Sequence, residues 1–172
     1  MGKKQREALL KGRAHKFGDN ISTDLIAPGR LFHLRNNLPE LAKHTLEDAD
    51  PDFVKNVKKG GFVVGGRNFG LGSSREHAPV IIKLTGVSAV LAKSFARIFF
   101  RNAINSGLPA LECDTDGIDN GDELEILLSE GVVKNRTKGT ELAFHRLPPI
   151  MIEILDSGGL VEHIKKNKDL KI

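Results

Sequence analysis

Residues 61–112 read GFVVGGRNFGLGSSREHAPVIIKLTGVSAVLAKSFARIFFRNAINSGLPALE, and their pattern predicts the core of the fold. Its short apolar runs are typical of buried strands, and the segments between them have the apolar spacing and the closing glycine of helices. The predicted elements are a strand at 61–65, a helix at 76–84, a strand at 88–92, a helix at 95–106 and a strand at 108–112. Strands that alternate with helices predict an α/β core with a parallel sheet.

The flanking sequence extends this core without repeating it. Upstream, we predict a strand and polar turn at 13–27, a polar loop at 30–38 and a short helix from Pro39. Downstream, an acidic turn at 114–122 precedes antiparallel strands at 123–128 and 132–144 and closing helices at 148–155 and 160–166. We expect one α/β domain over 13–167 with a β-rich C-terminal half, between a flexible basic tail at 1–12 and a C-terminal tail at 168–172.

Composition excludes several classes of protein. With 40% apolar and 28% charged residues, the chain has the composition of a globular protein, and no apolar run reaches the roughly 18 residues that a membrane helix needs. Its net charge is +4, but the positive excess lies in residues 1–16 and 161–172, whereas residues 17–160 carry a net −3. A nucleic-acid-binding surface normally combines a basic face with stacking aromatic residues, so this distribution makes nucleic acid an unlikely partner.

Cys113 is the only cysteine, which excludes an internal disulfide and favours a cytoplasmic protein. An iron–sulfur cluster held by this chain would need about three or four thiolates, and a zinc site would need His and Cys at ligand spacing. The six histidines form no short-spaced pair. We therefore expect no metal bound by this chain alone.

The strongest motif is the glycine-rich segment 65–77, GGRNFGLGSSREH, between a predicted strand and a predicted helix. Glycines let backbone N–H groups approach a ligand, a helix start attracts anions, and Arg75 suits a carboxylate or phosphate. The segment lacks both the Gly-Lys-Ser/Thr of a P-loop and the third glycine of a dinucleotide-binding motif. An anion site is one interpretation; the other is a loop that serves only tight packing between strand and helix.

Other polar segments allow two interpretations each. The stretch Asp19–Asp24, DNISTD, could orient an acid–base partner or simply build a turn. The loop 31–38, which contains His33 and Arg35, could contact a ligand or remain a solvated connection. Arg97 and Arg101 stand one helical turn apart and favour a solvated or interface face.

These motifs together resemble the aconitase-like hydro-lyases. The segments GDNISTD at 18–24, PGR at 28–30, GSSREHA at 72–78 and FARIF at 95–99 occur in the order typical of that family. Within it, the chain is most similar to the separate small subunits of the 3-isopropylmalate dehydratase family, from about residue 12 to residue 166. The resemblance implies the swivelling β/β/α domain of aconitase as a separate polypeptide.

The resemblance also implies an activity and a partner. A large subunit would hold a [4Fe–4S] cluster, and the assembled enzyme would be a hydro-lyase that isomerises 2- and 3-isopropylmalate in leucine biosynthesis. Ser73 matches the family's catalytic base, and Asp24 matches a catalytic aspartate that partners a histidine of the large subunit. Thr23, Ser74 and Arg75 match substrate-binding positions.

Substrate choice is open at this stage. Related small subunits often carry an aromatic-led run after Pro-Gly-Arg, whereas this chain has LFHLRNNL at 31–38. An apolar loop suits an isopropyl group, but Arg35 would suit the extra carboxylate of a homoaconitase substrate, and dimethylmalate is a further alternative. A non-catalytic anion- or RNA-binding module remains the alternative outside the enzyme class.

Overall fold

The computed structural model describes residues 9–168, which have a mixed α/β fold. The strands are β1 (Leu9–Lys16), β2 (Phe62–Val64), β3 (Ala89–Ala92), β4 (Ala110–Glu112), β5 (Glu123–Leu127), β6 (Val132–Asn135) and β7 (Thr140–Ala143). The helices are α1 (Thr23–Ile26), α2 (Leu38–Ala42), α3 (Phe53–Asn56), α4 (His77–Leu84), α5 (Arg97–Asn105), α6 (Pro149–Asp156) and α7 (Leu160–Asn167). None of these helices is both long and apolar enough to cross a membrane.

The seven strands form one sheet in the order β4-β3-β2-β1-β5-β6-β7. Strands β1 to β4 are parallel, and β5, β6 and β7 continue the sheet in antiparallel pairing. The sheet curls, because an isolated bridge joins Cys113, just after β4, to Phe144, just after β7. The predicted α/β class, with its parallel core and β-rich C-terminal half, is confirmed.

Strand β1 belongs to both halves of the sheet. Its residues 14–16 pair with β2, whereas residues 9–13 pair with β5. The expected tail at 1–12 is therefore wrong for residues 9–12, which are strand; residues 1–8 lie outside the described residues. Lys11 and Arg13 are exposed on one face of this strand, whereas Leu10 and Ala14 on the opposite face pack inward.

The sheet separates two apolar cores. On one face, Val63 and Val90 pack with α1 to α5 through residues such as Ile81 and Phe99. On the other face, Phe62, Val64 and Leu91 meet the antiparallel strands and α6. Alternate residues of β2 thus serve opposite cores, which explains why this strand is apolar throughout.

The parallel strands place the polar segments together. The segments after β1, β2, β3 and β4 all leave the carboxyl edge of the sheet, where ligands of open α/β sheets bind. The order β3-β2-β1 puts the DNISTD segment after β1 beside the glycine-rich segment after β2. The polar loop at 30–38 consists of a kinked 3-10 segment over Gly29–Leu34, a turn and, at Leu38, the start of α2.

Candidate active site

A ladder of hydrogen bonds joins the DNISTD segment to the glycine-rich segment. The Gly66 N–H donates to the Gly18 carbonyl at 3.0 Å, and the Gly70 N–H donates to the Ile21 carbonyl at 2.7 Å. The Thr23 N–H donates to the Leu71 carbonyl at 2.8 Å. The Asp19 carboxylate accepts the Arg67 N–H at 2.7 Å. Two segments about 50 residues apart in sequence therefore form one unit.

Three glycines of this segment are required by close contacts with neighbouring parts of the fold. A Cβ on Gly66 would lie 1.9 Å from Asp19 Oδ1, and a Cβ on Gly70 would lie 2.1 Å from the ring of Phe99. Gly72 has a φ of +106°, and its Cβ would lie 3.3 Å from Thr23 Oγ1. The packing interpretation of these glycines is thus supported, and the packing holds the next residues, Ser73 to Arg75, in place.

Ser73 is exposed, and its hydroxyl lies between two polar side chains. Arg75 Nε donates to Ser73 Oγ at 3.1 Å. Thr23 Oγ1 donates to the Ser73 carbonyl at 3.0 Å and lies 3.5 Å from Ser73 Oγ. Within residues 9–168, the N–H groups of Ser73 and Ser74 donate no hydrogen bond. The hydroxyl therefore has a guanidinium donor on one side and two unpaired amides beside it in sequence.

Arg75 is held by three partners. Besides Ser73, its Nη1 donates to the Ala27 carbonyl, and its Nη2 lies 3.1 Å from Asp24 Oδ1. Its side chain is only 19% exposed, whereas that of Asp24 is 64% exposed. A Cβ on Gly29 would lie 2.5 Å from Asp24 Oδ1, so a glycine is needed at that position. Asp24 thus orients Arg75 and keeps most of its surface free for another contact.

These side chains line an open groove of about 460 Å³. The groove is lined by Phe32, Arg35, Ser73, Ser74, Arg75, Glu76 and His77. Phe32 is 51% exposed, and the Arg35 guanidinium carbon lies 4.5 Å from its ring centroid. Burial, followed by the charge of Arg75, lowers the pKa of His77, which favours a neutral imidazole. The groove therefore offers two hydroxyls, two guanidinium groups, one carboxylate, an imidazole and an aromatic surface.

Comparison with known proteins agrees with this arrangement. Residues 14–116 match the family model of the aconitase C-terminal domain. The small subunit 2 of 3-isopropylmalate dehydratase from Archaeoglobus fulgidus is 64% identical over 95% of this chain and 99% of its own length. The small subunit 1 from Thermotoga maritima is 62% identical over 92% of this chain and 96% of its own.

The chain belongs to the 3-isopropylmalate dehydratase small-subunit family.

A solved member of this family has the same fold. The crystal structure of 3-isopropylmalate dehydratase from Methanocaldococcus jannaschii covers 93% of this chain and 95% of its own, with 46% identity and a TM-score of 0.89. The resemblance to the small-subunit family seen in the sequence is therefore confirmed, as are the aconitase-like hydro-lyase class and the small-subunit assignment.

In the present chain, all six predicted site residues lie in or beside the groove. Ser73, Ser74, Arg75 and Arg35 line it, and Thr23 and Asp24 contact the Ser73–Arg75 segment. The predicted solvated positions Arg97 and Arg101 are exposed on α5. Sequence reasoning missed Gly29 as a close-packing position and His77 as a groove residue, although both lie inside the quoted motifs.

Cys113 lies apart from the groove. It is 8% exposed, and burial, with the nearby Asp114 and Glu112 charges, raises the pKa of its thiol to about 12. A thiol of this kind stays protonated at neutral pH, whereas a cluster ligand must be a thiolate. Among residues 9–168, no group of three or more His, Cys, Asp or Glu side chains is placed to hold a metal ion. Residues 9–168 therefore do not fit a cluster site.

Proposed function

We propose that this chain and a large subunit bearing a [4Fe–4S] cluster together interconvert 2-isopropylmalate and 3-isopropylmalate by removing and re-adding water, in leucine biosynthesis. The observation that carries the proposal is the Ser73 hydroxyl, exposed in a groove and hydrogen-bonded by Arg75 Nε at 3.1 Å. Family membership supports the enzyme class, and this contact supports a chemical role for the groove within it.

Ser73 would act as the base. In dehydration, the Ser73 alkoxide would take a proton from the carbon next to a substrate carboxylate, while the hydroxyl on the neighbouring carbon takes a proton from an acid of the large subunit and leaves as water. A serine hydroxyl is a weak base unless its alkoxide is stabilised, and a guanidinium within hydrogen-bond distance supplies that stabilisation. In rehydration, Ser73 would give its proton to the carbon that lost the hydroxyl, while water adds at the other carbon and returns a proton to the acid of the large subunit, so both groups are regenerated.

Arg75, Ser74 and the free N–H groups would hold the substrate carboxylate. A guanidinium forms charge-assisted hydrogen bonds with carboxylates, and Arg75 keeps its planar group fixed through Asp24 and the Ala27 carbonyl. Thr23 would position the base through its bond to the Ser73 carbonyl. The exposed surface of Asp24 would receive a histidine of the large subunit.

Isopropylmalate suits the groove better than a carboxylate-tailed substrate. Arg35 stacks on Phe32, and its Nη1 donates to the Phe32 carbonyl at 3.3 Å, so its charge is turned toward its own loop. The half-exposed Phe32 ring then provides an apolar contact for a branched alkyl tail. Homoaconitase activity is the alternative, since Arg35 also lines the groove.

The large subunit would supply the Lewis acid that the reaction needs, because this chain offers no thiolate set for a cluster. We expect a heterodimer or heterotetramer in the cytoplasm, without membrane or nucleic acid. A non-catalytic anion- or RNA-binding role is the contrasting hypothesis.

Assay of the chain with and without its partner tests the proposal. We expect the isolated chain to show no turnover of isopropylmalate and no stoichiometric cluster absorbance after anaerobic reconstitution, because cluster binding needs about three or four thiolates. Co-expression with the large subunit should restore isopropylmalate turnover. A stable cluster on the isolated chain, or a complex without hydro-lyase activity, would contradict the proposal.

Arg35→Val tests which residue reads the substrate tail. If Arg35 contacts a tail carboxylate, its loss removes a charge-assisted contact of about 1.5–3 kcal/mol, which is about 10- to 150-fold in kcat/KM. In that case the fall is expected for homoaconitate-type substrates, while isopropylmalate turnover holds or improves. Steady-state kinetics on both substrates measures it, with Arg101→Val on α5 as a control. Equal losses on both substrates would place Arg35 on the shared malate-like head or outside the site.

A further inference from the structure

The segment Gly29–Leu34, with the next residue Arg35, forms one wall of the groove but has little burial of its own. None of the residues 29–34 is fully buried, and Phe32 is half exposed. Leu31 and Leu34 are partly buried and pack against the helical core, whereas Phe32 and Arg35, which line the groove, are exposed. Apolar burial therefore fixes only part of this wall. Polar contacts must therefore fix the remainder of the wall's position.

The first anchor lies at the start of the segment. The Ala27 carbonyl accepts a hydrogen bond from Arg75, and the Leu31 N–H donates to the Pro28 carbonyl at 2.9 Å. Gly29 lies against Asp24 with no room for a side chain. These contacts fix residues 27–29, but they do not reach Phe32 and Arg35.

The second anchor is Arg30. Its Nη1 lies 2.8 Å and 2.7 Å from the two carboxylate oxygens of Asp48, and its Nη2 donates to Glu47 Oε1. The other Glu47 oxygen lies 2.7 Å from His44 Nδ1. The hydrogen bonds to Asp48 and Glu47 raise the pKa of Arg30 above its ordinary value. One guanidinium thus ties the groove wall to the segment that follows α2.

We propose that Arg30 is a positioning residue, whose bonds to Asp48 and Glu47 hold the Phe32–Arg35 wall at the distance from Ser73 and Arg75 that the substrate requires. This proposal rests on the proposed function. Isolated ion pairs on a surface contribute little, but an arginine that binds two carboxylates forms a network with fixed geometry. Arg30 itself does not line the groove, so it would act on the substrate only through the wall.

Arg30→Gln tests the proposal in two measurements. In the isolated chain, we expect faster hydrogen–deuterium exchange confined to residues 29–38, with the exchange of residues 65–78 unchanged. In the complex with the large subunit, we expect kcat/KM for isopropylmalate to fall about 10- to 100-fold, mainly through KM, because a misplacement of about 1 Å costs up to about 100-fold. Arg30→Lys should recover part of the loss, since it restores the charge without the two-pronged geometry.

Arg136→Gln is the matched control. Arg136 Nη2 lies 2.7 Å from Glu125 Oε2 in the antiparallel half of the sheet, and its side chain is 57% exposed, compared with 54% for Arg30. We expect this variant to change neither measurement. The double variant Asp48→Asn with Arg30→Gln should lose no more kcat/KM than Arg30→Gln alone, because both substitutions remove the same Arg30–Asp48 contact.

Three results would overturn the proposal. They are unchanged exchange at 29–38, faster exchange there without a change in KM, and faster exchange throughout the chain, which would make Arg30 a general stabilising residue. An absence of isopropylmalate turnover in the unmodified complex would instead contradict the proposed function. In that case, exchange in the isolated chain still decides whether Arg30 holds the wall.

Discussion

Replacing Ser73 by Ala should lower kcat about 10²- to 10⁴-fold while KM changes little. General-base groups contribute rate accelerations of this size, and the loss should fall on kcat because the Ser73 oxygen is needed mainly in the transition state. The substrate carboxylate would still meet Arg75 and the free N–H groups of the segment. Steady-state kinetics of the complex with its large subunit measures both constants.

Ser74→Ala is the control for the Ser73 substitution. Both serines are exposed and line the same groove, but only Ser73 Oγ accepts from Arg75. We expect the Ser74 variant to affect KM more than kcat. Both variants should fold, since replacing an exposed serine costs at most about 0.5–2 kcal/mol even at a helix cap. A near-normal kcat for Ser73→Ala would mean that the segment is structural and that another group is the base.

Arg75→Lys should lower kcat/KM about 10²- to 10³-fold, although the charge is kept. The guanidinium binds Ser73, Ala27 and Asp24 at once, and an ammonium cannot reproduce that planar set of contacts. Removing one donor that stabilises an oxyanion typically costs about 10²- to 10³-fold in kcat. Measuring kcat and KM separately shows how the loss divides between the base and the carboxylate contact.

Arg97→Lys, on the exposed face of α5, is the matched control for Arg75→Lys and should leave both constants unchanged. A loss that appears only in KM would assign Arg75 to substrate binding alone and remove its role in stabilising the Ser73 alkoxide.

Most of the fold follows from local sequence patterns. The apolar residues 62–64 and 89–92, and the glycines that close α4 and α5, placed the parallel core within a few residues of its observed bounds. The start of β1 was missed because its exposed face carries Lys11 and Arg13, and its pairing with β5 joins residues more than 100 positions apart. Local patterns do not report such long-range pairing.

The site was less accessible to local reasoning. Resemblance to a family brought Thr23, Asp24 and Ser73 together, whereas the residues alone allowed a simple turn and a packing loop. The bonds that join the two segments are mainly backbone bonds, such as Gly70 N–H to the Ile21 carbonyl, and leave almost no side-chain signal. The ion pairs of Arg30 could likewise not be predicted from local sequence, because its partners Glu47 and Asp48 come after an intervening helix.

The backbone ladder between the DNISTD and glycine-rich segments has a consequence for subunit association. Every bond of the ladder lies within this chain, so Thr23, Ser73 and Arg75 already have their relative positions before a partner arrives. Binding that orders flexible segments loses affinity to conformational entropy, and a preorganised surface avoids much of that loss. The large subunit would therefore bind a surface on which Thr23, Ser73 and Arg75 are already positioned. Dissociation and reassociation of the two subunits would not require these residues to be ordered again.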